Sequence, residues 1–384
     1  MAVLVGMGEH MAEQFLPLYL ISLGGGFLSV GFLNGVDNLL GALYAFPGGY
    51  LADRLGTKRA LLIFNLVSMA GFLIVILVPS WPVVLLAAAL FLSWTAISLP
   101  ATMGLVARVL PKNKRAMGVS VHSLVRRVPL ALGPVLGGAC IGAFGVERGV
   151  RAAFVGALAM SIISAVMQQS LIEDDPPASA AARAEANPLR LWRHMSPQLR
   201  SLLASDILVR FCEQIPYAFV VIWAVGTADH PGPVSAVQFG LLRSVEMATA
   251  VAVYVPVAWL ADRGRKKPYV VMTFIFFTLF PLALLYARSL WSLVGAFVLR
   301  GLKEFGEPTR KALIMDLAPE DRKAGMFGLY YLVRDVVVSV AALGGALLWS
   351  MSPAVNLYTA FAFGVLGTIW FALRGEDMAG SPHA

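Results

Sequence analysis

Charge and cysteine are both scarce in this sequence. Asp, Glu, Lys and Arg make up only 14% of 384 residues, against about 25% in a typical soluble domain, so the chain lacks the polar surface that a soluble globule of this length needs. The two cysteines, Cys140 and Cys212, fall in apolar runs with no Cys or His cluster around them, which argues against both a disulfide and a metal site. No basic stretch precedes the first apolar segment, and Glu9 and Glu13 interrupt it, so residues 1–20 read as a first membrane span rather than a cleaved leader. Also missing are a Gly-rich phosphate loop with its Lys, an HExxH pair and a nucleophile elbow. The expectation is a chain without enzymatic activity, cofactor or metal, driven by ion gradients rather than by ATP.

What is present in excess is apolar side chain: 58% of residues are hydrophobic and the mean hydropathy is +0.76. Apolar runs of about 20 residues, each long enough to cross a hydrocarbon core about 30 Å thick, recur along almost the whole length. They predict twelve spans, near 1–20, 29–51, 60–78, 82–106, 117–143, 151–171, 200–226, 237–260, 268–287, 290–315, 324–350 and 354–373. Unpaired backbone cannot face lipid, so the spans must be helices or a closed barrel. A barrel would show alternating strands of about ten residues, not runs such as PYVVMTFIFFTLFPLALLYA. The fold class is all-α and polytopic.

The formal net charge of +8 would suggest a nucleic-acid partner in a soluble protein. Here 20 of the 30 Lys and Arg lie in connectors on one side, at 54–59, 108–115, 183–200, 263–267 and 310–323, with Arg374. The opposite connectors hold only Arg148, Arg151 and Arg288. The positive-inside rule then predicts cytoplasmic termini in a multi-pass protein of the cell's inner membrane, with the lipid bilayer and not nucleic acid as its surroundings. Residues 172–199, rich in Pro, Ala and charge, read as a cytoplasmic linker with a short interfacial helix around Leu189 to His194. It divides an N-terminal six-helix bundle (1–171) from a C-terminal one (200–374), followed by a short tail at 375–384.

The halves repeat at an offset of about 200 to 209 residues, so a duplication is visible within this one sequence. Pro100, Pro111 and Arg115 align with Pro308, Pro319 and Lys323. SLVRRV, with Arg126, aligns with YLVRDV, with Arg334, and each precedes a glycine pair, Gly137-Gly138 or Gly344-Gly345. Glu13-Gln14 before Pro17 matches Glu213-Gln214 before Pro216, and Asp37 falls opposite Glu246. Two parallel six-helix repeats imply a pseudo-twofold axis along the membrane normal and a central cavity open to alternate sides.

Gly49, Asp53, Arg54, Gly56, Lys58 and Arg59, in GYLADRLGTKR between spans two and three, resemble the signature loop of the major facilitator superfamily. A weaker copy, Leu260-Ala261-Asp262-Arg263, lies between spans eight and nine. The resemblance covers the whole chain in span number, halves and linker. It implies a twelve-span fold of two pseudo-symmetric bundles and a small-molecule transporter, taken as a monomer. A carboxylate at one helix end can cap another helix while neighbouring cations bridge acidic groups, so these loop residues are expected to form a conformational latch. Gly133, Pro134, Gly137 and Gly138 in span five resemble, in part, the Gly-Pro element of the superfamily's drug–proton antiporters, and are expected either to act as a helix hinge or simply to allow close helix packing through their small side chains. Span four carries no basic residue where that pattern has an Arg; the polar cluster is in span ten instead.

Ionisable groups near the bilayer centre cost at least about 2.5–3.5 kcal/mol each and need partners or a wet cavity. The candidates for proton coupling or substrate binding are Glu13, Asp37 and Arg126 in the first half, and Glu213, Arg243, Glu246, Arg300, Glu304, Arg334 and Asp335 in the second. Asp206/Arg210, Arg210/Glu213, Arg243/Glu246, Arg300/Glu304 and Lys303/Glu307 stand three or four apart, a spacing that allows pairing within a helix. Glu9, Glu13 and Asp37 have no Lys or Arg on their own spans, so Arg126 or Arg127 is expected to serve them, Arg126 being favoured by its alignment with Arg334; Glu9 falls nearest the cytoplasmic end. His122, one turn before Arg126, is a candidate relay. The functional expectation is a proton-coupled secondary transporter of a small organic solute, with export favoured by the Gly-Pro element. Uptake, uniport or a non-transporting receptor of the same fold is the alternative.

Overall fold

The protein was described from a computed structural model over residues 2–55, 57–92, 115–171, 192–228, 230–261, 265–319 and 323–376. Side chains are described over the same ranges except at 2, 45–54, 57, 115–125, 254–255, 258–261 and 323–325. Fourteen helices run through the described residues: α1 (Ala2–Glu13), α2 (Leu16–Ser22), α3 (Phe27–Leu55), α4 (Thr57–Leu77), α5 (Trp81–Phe91), α6 (Arg115–Leu171), α7 (Pro197–Tyr217), α8 (Val220–Val225), α9 (Ala236–Ala261), α10 (Lys267–Tyr286), α11 (Leu290–Leu302), α12 (Glu307–Leu317), α13 (Lys323–Met351) and α14 (Pro353–Arg374). Among the described residues, six helical stretches are long and apolar enough to cross a membrane, and no named strand occurs. The remainder of expected span four, residues 93–106, lies outside the described residues.

Two expected spans are broken, and two others run together across a kink, at positions the sequence marks. In α6, Gly145 adopts φ 77° and ψ 174°, a left-handed geometry that a Cβ disfavours, and divides the stretch into two arms matching expected spans five and six. The first span breaks after Glu13 into α1 and α2, and the seventh breaks after Tyr217 into α7 and α8. The first break falls within Glu13-Gln14-Phe15-Leu16-Pro17 and the second just after Glu213-Gln214-Ile215-Pro216, and each short second piece is followed by a left-handed glycine, Gly24 (φ 82°) and Gly226 (φ 81°). The duplication is thus written in backbone geometry as well as in sequence.

Expected span ten is also discontinuous. Between α11 and α12 the backbone tightens: Glu304 N bonds Gly301 O at 3.2 Å, Phe305 N bonds Leu302 O at 2.9 Å and Glu307 N bonds Glu304 O at 3.3 Å. Gly306 ends the turn. Its N–H donates to Thr273 Oγ1 at 2.5 Å, and a Cβ there would run into the Tyr269 carbonyl. Pro308 then starts α12 at a position where no N–H is needed. Ser196 before Pro197 and Ser352 before Pro353 open α7 and α14 in the same economical way, each hydroxyl accepting a backbone N–H of the first turn.

The helices cluster into two compact units, residues 1–180 with 219–244 and residues 181–218 with 245–384. In the first unit, Phe72, Phe91 and Phe154 pack ring to ring at 5.2–5.7 Å, and Asn65 Nδ2 donates to Gln168 Oε1 at 2.7 Å. In the second, Leu199, Leu202, Val270, Phe274, Leu313, Met326 and Tyr330 form a buried core around α7. Asn356 holds α14 to its neighbours by donating to the Gly345 carbonyl at 2.7 Å and the Ile215 carbonyl at 3.2 Å.

Candidate functional site

The first unit gathers its charge around α1. This helix lies in the crevice between the two arms of α6, and small residues make the approach possible. A Cβ on Gly8 would stand 2.9 Å from Ala157 Cα, and one on Gly6 would stand 3.0 Å from the Pro129 ring. From the other side, Gly133 faces His10, and Gly137 faces the Met11 carbonyl so closely that a side chain there would overlap it. Gly138 faces the Ala236 backbone, and Gly240 of α9 faces the Pro134 carbonyl. Ser244 Oγ seals the seam by donating to Ala131 O at 2.6 Å. The element expected to be a hinge is therefore also a packing surface, clamped between α1 and the first half of α9. We expect Gly137→Val to cost about 1–3 kcal/mol or more through overpacking. Gly142→Ala, whose Cβ would meet Val237 Cγ2 at an ordinary 3.5 Å, should leave thermal melting of the detergent-solubilised protein unchanged.

On that tightly held helix, His10 Nδ1 and Glu13 Oε2 are 2.9 Å apart. The sequence reading counted only Lys and Arg as partners for the first-half carboxylates and so missed a base one turn before Glu13. Glu9 is 4% exposed, and Asp37 on α3 lies within electrostatic reach of both Glu9 and Glu13. Arg126 acts on Glu9, while His10 also feels Glu9 and Arg243. Three carboxylates, one histidine and two arginines thus converge in the first unit, and Glu9 belongs to the group although the sequence set it aside. The side chains of His122, Asp53, Arg54, Asp262 and Arg263, and Gly56 altogether, lie outside the described residues. Of the expected latch, Arg59 is exposed and the Lys58 carbonyl accepts from Gln168 Nε2 at 2.9 Å. Beside the second copy of the loop, Lys266 Nζ pairs with Asp316 at the end of α12.

The second unit holds a buried chain of alternating charge. Arg334 Nε donates to Asp335 Oδ1 at 2.7 Å, and Arg334 Nη1 stands 3.5 Å from Asp206 Oδ2. That same carboxylate accepts from Tyr330 Oη at 3.0 Å and from Arg310 Nη1. Arg310 forks onto Glu307, with Nε–Oε2 at 3.0 Å and Nη2–Oε1 at 2.6 Å. Arg210 links Glu307 (3.6 Å) to Glu213 (2.6 Å). Lys303 joins Glu213 at 2.7 Å to Glu246 at 3.6 Å, and Arg300 closes the run 3.5 Å from Glu246. Aromatic faces line the cations: Arg334 lies 4.2 Å from the Tyr331 centroid, Arg300 lies 5.1 Å from Phe280, and Arg210 lies 5.0 Å from Phe277.

Two expectations need correction. Lys303 does not pair with Glu307 one turn on, because the break at residues 303–306 interrupts the helical register; it reaches Glu213 and Glu246 on other helices instead. Arg310, counted from the sequence among the connector cations, is 1% exposed and sits at the centre of the network. Its signal in the sequence was Glu307 three residues earlier, a spacing that makes an intrahelical pair. The expected Asp206/Arg210 and Arg210/Glu213 pairs are present, at 3.9 and 2.6 Å. Arg243 belongs to the first unit and Glu246 to the second; Glu304 lies in the turn between α11 and α12.

Family comparison agrees with the architecture. The family model of the Major Facilitator Superfamily matches residues 1–232 and 207–383. The chain belongs to the major facilitator superfamily. It is therefore a multi-pass membrane protein of a transporter family. An uncharacterised MFS-type transporter of Methanocaldococcus jannaschii is 22% identical over 375 residues, covering 91% of this chain and 87% of that protein. The quinolone resistance protein NorA of Staphylococcus aureus is 26% identical over 232 residues, covering 59% of this chain and 56% of NorA. Among solved structures, the nucleoside transporter NupG superposes with a TM-score of 0.79 at 13% identity, covering 98% of each chain. The peptide transporter POT superposes at 0.76 and 15% identity, covering 97% of this chain and 92% of POT. At these identities the superpositions establish the shared MFS fold.

Proposed function

We propose that this protein is a proton-coupled secondary transporter that exports a small organic solute from the cell by alternating access. It lies in the inner membrane as a monomer with cytoplasmic termini. The observation that carries the coupling is that the charged cluster of the first unit contains a titratable histidine, His10, 2.9 Å from Glu13. Among the described residues of the second unit, the acids Asp206, Glu213, Glu246, Glu307 and Asp335 are each held by fixed cations, Arg210, Arg300, Lys303, Arg310 and Arg334, with the more exposed Lys311 also 3.6 Å from Glu307. In the first, three carboxylates face Arg126, Arg243 and a histidine whose own charge depends on a proton. A proton entering His10–Glu13 neutralises that group, and a proton leaving makes it anionic. Carboxyls so placed exchange protons as their surroundings open and dry.

Export is supported by the Gly-Pro element, packed against α1 beside this group, and by the likeness to a protein named for quinolone resistance. The two six-helix halves are the moving bodies, with Gly49, Asp53, Arg54, Lys58 and Arg59 and the weaker copy at Asp262 and Arg263 latching them. Glu13 and Asp37 hold the proton or a cationic solute group, Arg126 serves as counter-ion, and Glu213, Arg243, Glu246, Arg300, Glu304, Arg334 and Asp335 complete the polar lining. The test is proteoliposomes loaded with a pH-sensitive dye under an imposed proton gradient, challenged with amphiphilic cations, zwitterions and carboxylates. Solute-evoked proton movement is the expected result. Solute binding without evoked proton movement would overturn the coupling and leave a uniporter or a receptor.

A further inference from the structure

A second polar site lies away from the charged groups described above, where the start of α7 meets the end of α14. There an open groove of about 630 Å³ is lined by Gln198, Arg200, Ser201, Trp370, Arg374 and Glu376, among others. Its walls are braced. Trp370 Nε1 donates to Ser201 Oγ at 3.1 Å, Arg374 stacks on Trp370 with its guanidinium carbon 4.5 Å from the ring centroid, and Arg200 Nη2 donates to the Trp192 carbonyl at 3.1 Å. The Arg200 guanidinium also lies 5.4 Å from the Trp192 centroid. The first turn of α7 opens beside it, adding the positive end of a 21-residue helix.

We propose that this groove binds the headgroup of a monoanionic phospholipid, a phosphodiester carrying hydroxyl groups. Three observations select that chemistry. Both arginines sit at helix ends beside partly exposed tryptophans, Trp192 at 39% and Trp370 at 37%, the amphipathic pairing that marks the headgroup level of a bilayer. Among the described lining residues, Arg200 and Arg374 stand against one carboxylate, Glu376, and that modest positive excess suits a phosphodiester better than a doubly charged phosphate monoester. Gln198 and Ser201 add an amide and a hydroxyl that can bond headgroup hydroxyls. The proposed orientation would put this groove at the inner leaflet; the binding itself does not depend on that orientation or on proton coupling.

Native mass spectrometry of the full chain, released from mixed micelles of phosphatidylglycerol and phosphatidylcholine, tests this. Retention of phosphatidylglycerol over phosphatidylcholine is expected, falling about tenfold in an Arg200→Gln/Arg374→Gln double variant. Glu376→Gln should raise retention, a gain that misfolding cannot imitate. Equal retention of the two lipids, or a double variant that retains phosphatidylglycerol as well as the native chain does, would overturn the proposal. Displacement of the lipid by millimolar inorganic phosphate would assign the groove to a soluble anion and overturn the lipid reading.

Discussion

Replacing Arg310 by Met should lower the stability of the folded protein by about 3–5 kcal/mol, the range for removing one partner of a buried ion pair. Arg310 is 1% exposed and neutralises two acids at once, Asp206 on α7 and Glu307 on its own helix. Without it, among the described residues, Asp206 keeps Tyr330 and the more distant Arg334 and Arg210, while Glu307 keeps Arg210 and Lys311, both at 3.6 Å. Arg310→Lys should lie between: the charge stays, but a single ammonium cannot hold Glu307 through two parallel bonds while also reaching Asp206. Adding Asp206→Asn to Arg310→Met should recover part of the loss, because the uncompensated charge is then removed. Thermal unfolding of the detergent-solubilised protein measures all three. A melting temperature in Arg310→Met equal to that of the native chain would show that the network is not what holds α7, α12 and α13 together.

Glu13→Gln should act in the opposite sense: transport fails while the fold survives. Solute-evoked proton movement in proteoliposomes should fall at least about a hundredfold, the scale of losing a positioned proton-transfer group. The melting temperature should hold or rise, because Glu13 sits within reach of Asp37, a second carboxylate, and gives that charge repulsion up on neutralisation. His10→Gln removes the titratable partner 2.9 Å away and should flatten the dependence of transport on pH while leaving solute binding intact. Evoked proton movement that survives both substitutions would place coupling outside the His10–Glu13 pair. The pairing of the two predictions matters, since a variant that both melts early and fails to transport says nothing about protons.

Much of this was legible in the sequence. Apolar runs at membrane length dictated helices, because a backbone in hydrocarbon has no partner but itself. The repeat at about 200 residues paired Glu13-Gln14 before Pro17 with Glu213-Gln214 before Pro216, and a helix break followed by a left-handed glycine lies at each. Glycines in span five pointed to close approach, and Gly133, Gly137 and Gly138 each face a neighbouring backbone or side chain too near for an ordinary side chain. In each case the determining force acts over a few residues, or uniformly along a span.

What only the tertiary structure decided is which charge meets which. Helical period predicts neighbours three or four residues away, and it found Arg210 with Asp206 and Glu213. It failed for Lys303, because the turn at 303–306 interrupts the register between α11 and α12, and for Arg310, whose depth depends on that same turn carrying α12 against α7 and α13. The His10–Glu13 contact obeys the period but gains meaning only from Asp37 and Arg126, brought to it and to Glu9 from two other stretches of chain. Local propensity fixes where a helix starts, breaks and ends. The rotation of one helix against the next, on which every long-range ion pair depends, is set by packing that no single segment encodes.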